Sequence, residues 1–443
     1  MPKSWSHLFT LTIWMPLLLA LLVACGVGVN GNPNGSAAST GSTVIKIATD
    51  YPASGQDASA GKSAENGAHL AVDEANQNNF LPGYKFVFLP KNDAGTQGIP
   101  DPAIGQRNIT DLMNDALVTG VVGPLNNSVA QSELPVANQA PIALISPSNT
   151  NNCLTQTTPD TECGGANNKI SMYRPTGKVT YFRIATLDQF QGRALADFGF
   201  KTKGYKKAYV VDDAGTFGVD IANIFSTEWT KLGGTIPGHQ SVPSTTTSYS
   251  SVLTQIATTN PDVIFFGGND STGGIKMRQQ MVQIPGLKQT PVIGGDGMQT
   301  SNFAKTIGHD GGGPVFTSQA SIDASKLDTA KDFIARYDAV YGATNLSSYS
   351  AGSYDCAKII LLSIRAVIQK GIPTPKDSTD TAQARVFRQA IIDAIQTIDY
   401  NGVSGHQSFD KNGDTTNRAL TIKTIADDVN QGDGWTPIDI IKI

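Results

Sequence analysis

The sequence predicts an α/β protein of two lobes built on parallel sheets, with a cleft between them. Three observations carry this. Short β-branched runs recur along the chain, and they are continuous in apolar character rather than alternating, as strands buried on both faces of a sheet require. The stretches between them show a 3.6-residue apolar period. Four βα units, a loop-rich stretch from Ser148 to Thr180, and four more βα units then form a weak internal duplication.

Strands are expected at Val44–Ala48, Lys85–Leu89, Leu117–Val122 and Ile142–Ile145, then at Lys207–Val211, Val263–Phe266, Pro291–Ile293 and Val315–Thr317. In the first helix Ala68, Ala71, Val72 and Ala75 recur at i, i+3, i+4 and i+7. A later one carries Ala330, Phe333, Ile334, Tyr337, Val340 and Tyr341 on one stripe and stops at Gly342. Tyr349 to Ile368 reads as a long helix in which Cys356 is a small buried hydrophobe.

Composition narrows the function classes. The chain has 443 residues, of which 16% are charged and 40% apolar, too few charges for a disordered protein. Its formal net charge of −4 favours neither nucleic acid nor an anionic membrane surface. Four cysteines rule out a disulfide-built scaffold and leave a staple or two.

The N-terminus reads as an export signal over residues 1–24. Lys3 supplies the positive start, and Leu8 to Val23 is almost uninterrupted apolar sequence, short for a membrane-spanning helix. It ends in Leu22-Val23-Ala24-Cys25, which resembles the lipobox of bacterial lipoproteins and implies lipidation at Cys25. Residues 25–42 hold no charge and few large apolar side chains, the composition of a flexible tether. A water-soluble body held to the outer face of the cell membrane by lipid alone is the expected arrangement.

Two tempting motifs fail on context. Gly26-Val-Gly28-Val-Asn-Gly31 spells a dinucleotide fingerprint, but it lies in the tether and not between a strand and a helix. Gly55-Gln-Asp-Ala-Ser-Ala-Gly61-Lys62-Ser63 follows a strand and precedes a helix, yet the glycines are one residue too far apart for a phosphate loop, so Lys62 reads as a solvated residue at a helix start. The five histidines are scattered, and HExxH, CxxC and GxSxG do not occur, so neither an enzyme, a metal nor a cofactor is expected. Asp410-Lys-Asn412-Gly413-Asp414 is a poor calcium loop and a good hairpin turn.

Beyond the tether, an ordered set of segments resembles the branched-chain amino-acid-type (Leu/Ile/Val-binding) solute-binding proteins of bacterial ATP-driven importers. They are Gly67-Ala-His-Leu-Ala-Val-Asp-Glu74, Val121-Val-Gly-Pro124 with Asn126-Asn-Ser128, Ile145-Ser-Pro-Ser-Asn-Thr150, Asp212-Asp-Ala-Gly-Thr-Phe-Gly218, Asp262-Val-Ile-Phe-Phe-Gly-Gly268, Gly294-Gly-Asp-Gly297, and Gly402-Val-Ser-Gly405 with Phe409-Asp-Lys-Asn-Gly-Asp414. The resemblance implies the type I periplasmic-binding fold: two doubly wound parallel-sheet lobes joined by three hinge crossovers, near Tyr181, Ala320 and Asp399. Lobe 1 would then comprise residues 43–181 and 321–399, and lobe 2 residues 182–320 and 400–443. It also implies a monomeric receptor that delivers a small ligand to a permease whose ATPase is a separate polypeptide.

A zwitterionic ligand needs donors for its carboxylate and an anion for its ammonium. Asn126-Asn127-Ser128 opens a helical stretch, Ser128 with Gln131 has capping-box spacing, and a helix start offers free N–H groups to an anion. Pro135 is expected to shorten or kink that helix. The resemblance places Asn127, Ser148 and Thr150 at the ligand carboxylate, with Ser128 beside them, Asp296 at the ammonium and Phe217 over the aliphatic carbons. Asn269 and Asp270 stand where relatives commonly carry aromatics, and Ala60 where an aromatic often precedes the glycine, which makes the side-chain pocket roomier and more polar. An amino acid or amide more polar or larger than leucine is the expected ligand. Cys153 and Cys163 are expected to pair outside the cytoplasm, closing a loop worth about 3 kcal/mol on the entropy model. The rival readings are a sensory module of the same fold, which lacks an output domain here, and a hydrolase, which lacks a nucleophile–base signature.

Overall fold

A computed structural model describes residues 42–96, 98–156 and 170–442. The signal segment, Cys25, nearly all of the tether and Cys163 lie outside the described residues. From residue 42 onward the described chain falls into one compact unit, and none of its helices is long and apolar enough to cross a membrane.

The first sheet contains β1 (Thr43–Tyr51), β2 (Tyr84–Asn92), β3 (Val118–Val122), β4 (Ala143–Ser146) and β5 (Tyr181–Arg183), in the order β2-β1-β3-β4-β5 and all parallel. The second contains β6 (Ala208–Asp212), β7 (His239–Ser241), β8 (Val263–Gly267), β9 (Val292–Gly294) and β10 (Val315–Gln319) in the same relative order, β7-β6-β8-β9-β10. The duplication expected from the strand–helix alternation is thus a repeated topology. The eight expected strands are all present, and β3, β4, β6, β8, β9 and β10 are buried along their whole length, as their unbroken apolar runs require. Where β2 and β7 form edges, the burial is partial.

The second sheet is not wholly parallel. A hairpin of β11 (Tyr400–Gly402) and β12 (Gly405–Gln407) is followed by β13 (Ala419–Ile425) and β14 (Trp435–Lys442), and the last two extend β10 in antiparallel register. Sequence patterning misses them: β13 is largely buried but carries Lys423, ion-paired to Asp323 and Asp433, and the edge strand β14 carries Pro437 and Asp439.

Helices cover both faces of each sheet. On the first, α1 (Ala58–Gln77), α10 (Lys331–Tyr341), α11 (Ser348–Gln369) and α12 (Thr381–Gln396) share one core with β1, while α2 (Pro102–Asn114), α3 (Asn127–Gln139) and the short α4 (Ile170–Tyr173) form another. On the second, α5 (Asp188–Asp197) and α6 (Thr216–Lys231) lie on one face, and α7 (Ser250–Thr259), α8 (Ile275–Met281) and α9 (Ser301–Ile307) on the other. Small residues let α1 and α11 approach closely: a Cβ on Gly67 would sit 2.1 Å from the Ser350 carbonyl oxygen. Cys356 is a free, fully buried thiol in this interface.

The chain passes to the second sheet after β5, back to the first after β10, and again to the second before β13. The hairpin β11–β12 and Phe409 still pack on the first core, later than the crossing expected near Asp399. Asp355 on α11 holds the hairpin there, accepting from the Val403 and Ser404 N–H groups at 3.0 and 2.6 Å. At Asp410–Asp414 the expected turn forms, with the Gly413 N–H donating to the Asp410 carbonyl at 3.0 Å.

Candidate functional site

In a doubly wound sheet the crevice lies at the carboxyl ends of the strands, where the strand order reverses. That point falls between β1 and β3 in the first sheet and between β6 and β8 in the second. The loops leaving these strands face one another around a cavity.

On the first-lobe side the lining comes from Asp57 and Ala60 after β1, Leu125 to Asn127 after β3, and Ser148 and Thr150 after β4. The helix α3 begins at Asn127, with Asn126 as an N-cap whose side chain makes no capping bond, so the first N–H groups stay open. The capping-box reading at Ser128 therefore fails. Ser128 falls at the second helical position, about 100° around the axis from Asn127, and does not line the cavity. Nor does Pro135 shorten α3, which runs through it to Gln139.

Much of the polar chemistry on this wall is engaged internally. The Ser148 hydroxyl donates to the Leu125 carbonyl at 2.7 Å, and Asn127 Oδ1 accepts from the Thr150 N–H at 3.1 Å. These bonds shape the loop that carries Thr150. Behind it, the fully buried Arg183 pairs with Asp414 at 2.7 Å and donates to the Asn151 carbonyl at 2.6 Å and Thr155 Oγ1 at 2.5 Å. Cys153 is buried in the same loop.

The second-lobe side contributes Phe217 from the first turn of α6, Asn269 and Asp270 after β8, Asp296 and Gly297 after β9, and Thr300, the N-cap of α9. The Phe217 ring lies against the glycine turn. A Cβ on Gly297 would come 2.3 Å from Asn269 Oδ1 and 2.9 Å from the Phe217 ring, so only glycine fits there. Asp296 is held from both lobes: its N–H donates to Gln191 Oε1 at 3.0 Å, and the Tyr349 hydroxyl at the start of α11 donates to its Oδ2 at 3.3 Å. A second bond across the cleft joins the Asn151 side-chain amide to Asp220 of α6.

The three lining carboxylates are unusual in their burial. Desolvation pushes Asp296 and Asp270 each up to about 6. Asp57 rises to about 7 through burial and then through the facing charge of Asp270. Burial, with the charge of Asp296, also keeps the Tyr349 phenol protonated and therefore a donor. Among the described residues no cluster of His, Cys, Asp and Glu could hold a metal ion.

Of the residues expected at the site, Asn127, Ser148, Thr150, Phe217, Asn269, Asp270 and Asp296 line one cavity, as does Ala60; Ser128 does not. Sequence reasoning missed Asp57 and Tyr349. Asp57 sits inside the Gly55–Ser63 string that was weighed only as a phosphate loop, although its place directly after β1 was a usable signal. Tyr349 opens an apolar helical stripe and reads as core.

The sequence profile of the periplasmic binding proteins matches residues 44–430. Leu/Ile/Val-binding protein homolog 3 of Brucella melitensis is 27% identical over 370 residues, covering 83% of this chain and 90% of that protein. The branched-chain amino acid transporter substrate binding protein LivJ of Streptococcus pneumoniae, solved with isoleucine, superposes with a TM-score of 0.70 at 22% identity, over 89% of this chain and 99% of that one. A solute binding protein of an ABC transporter from R. palustris, solved with benzoate, gives 0.69 at 17% identity, over 90% and 96%. With the profile spanning both lobes and the cavity formed at the strand-order reversals of both sheets, the chain belongs to the periplasmic binding protein family.

Proposed function

We propose that the protein is the extracytoplasmic solute-binding component of an ATP-driven importer, and that it captures an amino acid or related small polar solute in the cleft. The observation that carries this reading is a cavity lined from both lobes at the strand-order reversals, with open helix N–H groups on one wall and Asp296 on the other. A ligand carboxylate would meet the start of α3 and the Ser148–Thr150 loop, its ammonium Asp296, and its aliphatic carbons Phe217. A charge-assisted contact at Asp296 is worth about 1.5–3 kcal/mol. No nucleophile–base pair faces the cavity, so its work is binding rather than catalysis.

The two lobes, 43–181 with 321–399 and 182–320 with 400–443 apart from the hairpin noted above, would close by hinge motion about the three crossings. The closed monomer would dock on a permease served by separate ATPase subunits. Lipidation at Cys25 would keep it at the outer face of the membrane, and a Cys153–Cys163 disulfide would tie the loop beside Thr150. Asn269, Asp270 and Ala60 at the cavity support a more polar solute than leucine. Isothermal titration against the twenty amino acids and their simple amides tests this reading: micromolar or tighter binding of one of them supports it, and silence across the panel overturns it.

A further inference from the structure

The reading above uses one of three carboxylates in the cavity. Asp57, Asp270 and Asp296 all line it, and among the described residues no Lys, Arg or His does. Each is at most 6% exposed. Asp57 comes from the first lobe, after β1, and Asp270 from the second, after β8, so the cleft sets two buried acids against each other with no cation between them. Asp270 is oriented by neutral donors alone: Thr300 Oγ1 at 2.6 Å, Asn302 Nδ2 at 3.3 Å and the Ser271 N–H at 2.8 Å.

Acceptors in the cavity are left unpaired. Asp296 Oδ1 is buried without a hydrogen-bond partner, and so is Asn126 Oδ1 on the opposite wall. Buried acceptors left unpaired are costly, and buried carboxylates without a counter-charge more so. A neutral side chain between Asp57 and Asp270 would leave both acids uncompensated when water is expelled. An aromatic acid would add a fourth carboxylate to the same space.

We infer that the solute is a basic α-amino acid, whose side-chain ammonium or guanidinium lies between Asp57 and Asp270 while its α-ammonium meets Asp296. The side-chain cation then joins the lobes, since its two partners belong to different ones. Burial raises the pKa of both Asp57 and Asp270, and the charge of Asp270 raises Asp57 further. This inference rests on the cleft being an amino-acid site.

Calorimetric titration of the purified chain with L-arginine and L-lysine, against their neutral counterparts L-citrulline and L-norleucine, tests it. The expected result is that a basic amino acid binds at least tenfold tighter than its neutral counterpart. Asp57→Asn should weaken it tenfold or more while changing any binding of the counterpart less than threefold, and Asp270→Asn should read the same subsite from the other lobe. If citrulline, norleucine or leucine binds as tightly as the basic ligands, or if both substitutions leave the basic ligand unaffected, the inference falls while the amino-acid reading stands. If none of these amino acids binds at millimolar concentration, the amino-acid reading falls and takes the inference with it.

Discussion

The two lobes share a strand order and place their loops at equivalent ends, yet their walls of the cleft differ in chemistry. The wall after β3 and β4 is neutral, made of the open start of α3 and a loop whose Ser148 hydroxyl donates to the Leu125 carbonyl and whose Thr150 N–H donates to Asn127. The wall after β8 and β9 is acidic, with Asp270 and Asp296 buried in a frame of neutral donors. A repeated scaffold has been given two different faces, one with open N–H groups and the other with buried acids. Asp57 breaks the pattern by placing a buried acid on the first lobe's side of the cavity, and the proposed second ligand cation rests on that.

The largest expected effect comes from the support of the neutral wall. Replacing Asp414 by Ala leaves Arg183 charged, buried and unpaired, and should destabilise the protein by about 3–5 kcal/mol. Chemical denaturation of Asp414→Ala reads this directly; a loss under 1 kcal/mol would mean the loop carrying Thr150 is held by other contacts. On the acidic wall, Asp296→Ala should cost an amino-acid ligand one to two decades in Kd, at about 1.4 kcal/mol per decade. Unchanged affinity by calorimetry would move the ammonium elsewhere.

Proton linkage sharpens the contrast further. Asp57 has its pKa raised by burial and by Asp270, up to about 7, so the folded ligand-free protein holds that proton more tightly than the unfolded chain. The stability contributed by the protonated acid is full below about pH 4, the unfolded value. It is lost as the pH rises through about 7. Asp57→Asn should therefore melt above the wild type at pH 8, by a few degrees, with the gap closing towards pH 4. A constant gap across that range would show that Asp57 titrates normally. The smallest effect is expected at the bond between the walls: Tyr349→Phe removes the hydroxyl from Asp296 and should weaken ligand binding by about 0.5–1.5 kcal/mol. Tighter binding in this variant would indicate that the tyrosine competes with the solute for the carboxylate.

Much of the fold could be read from the chain because strands such as Val118–Val122 and Val263–Gly267 carry their burial in their own composition. Asn127, Thr150 and Asp296 could be named because the loops that follow such strands resemble the binding segments of a known family. Ser128 was misplaced because a two-residue shift in where a helix begins, from a cap at Ser128 to one at Asn126, turns a side chain out of a cavity, and both residues are good caps. The last two strands were missed because β13 interrupts its apolar residues with Lys423, whose charge is met only by the distant Asp323 and by Asp433, and because the edge strand β14 tolerates Pro437 and Asp439.

The amino-acid order alone set the alternation of strands and helices, the chemistry of each connecting loop and the overall division into two halves, since each depends on residues within a turn or two of one another. Only the folded chain decided that Asp57, Asp270 and Asp296 share one desolvated space, that the Ser148 hydroxyl is turned inward, and that Tyr349 reaches across to Asp296. Those relations join segments tens to hundreds of residues apart. They are products of where the sheets reverse their order and how the two halves face, which no short stretch of sequence encodes.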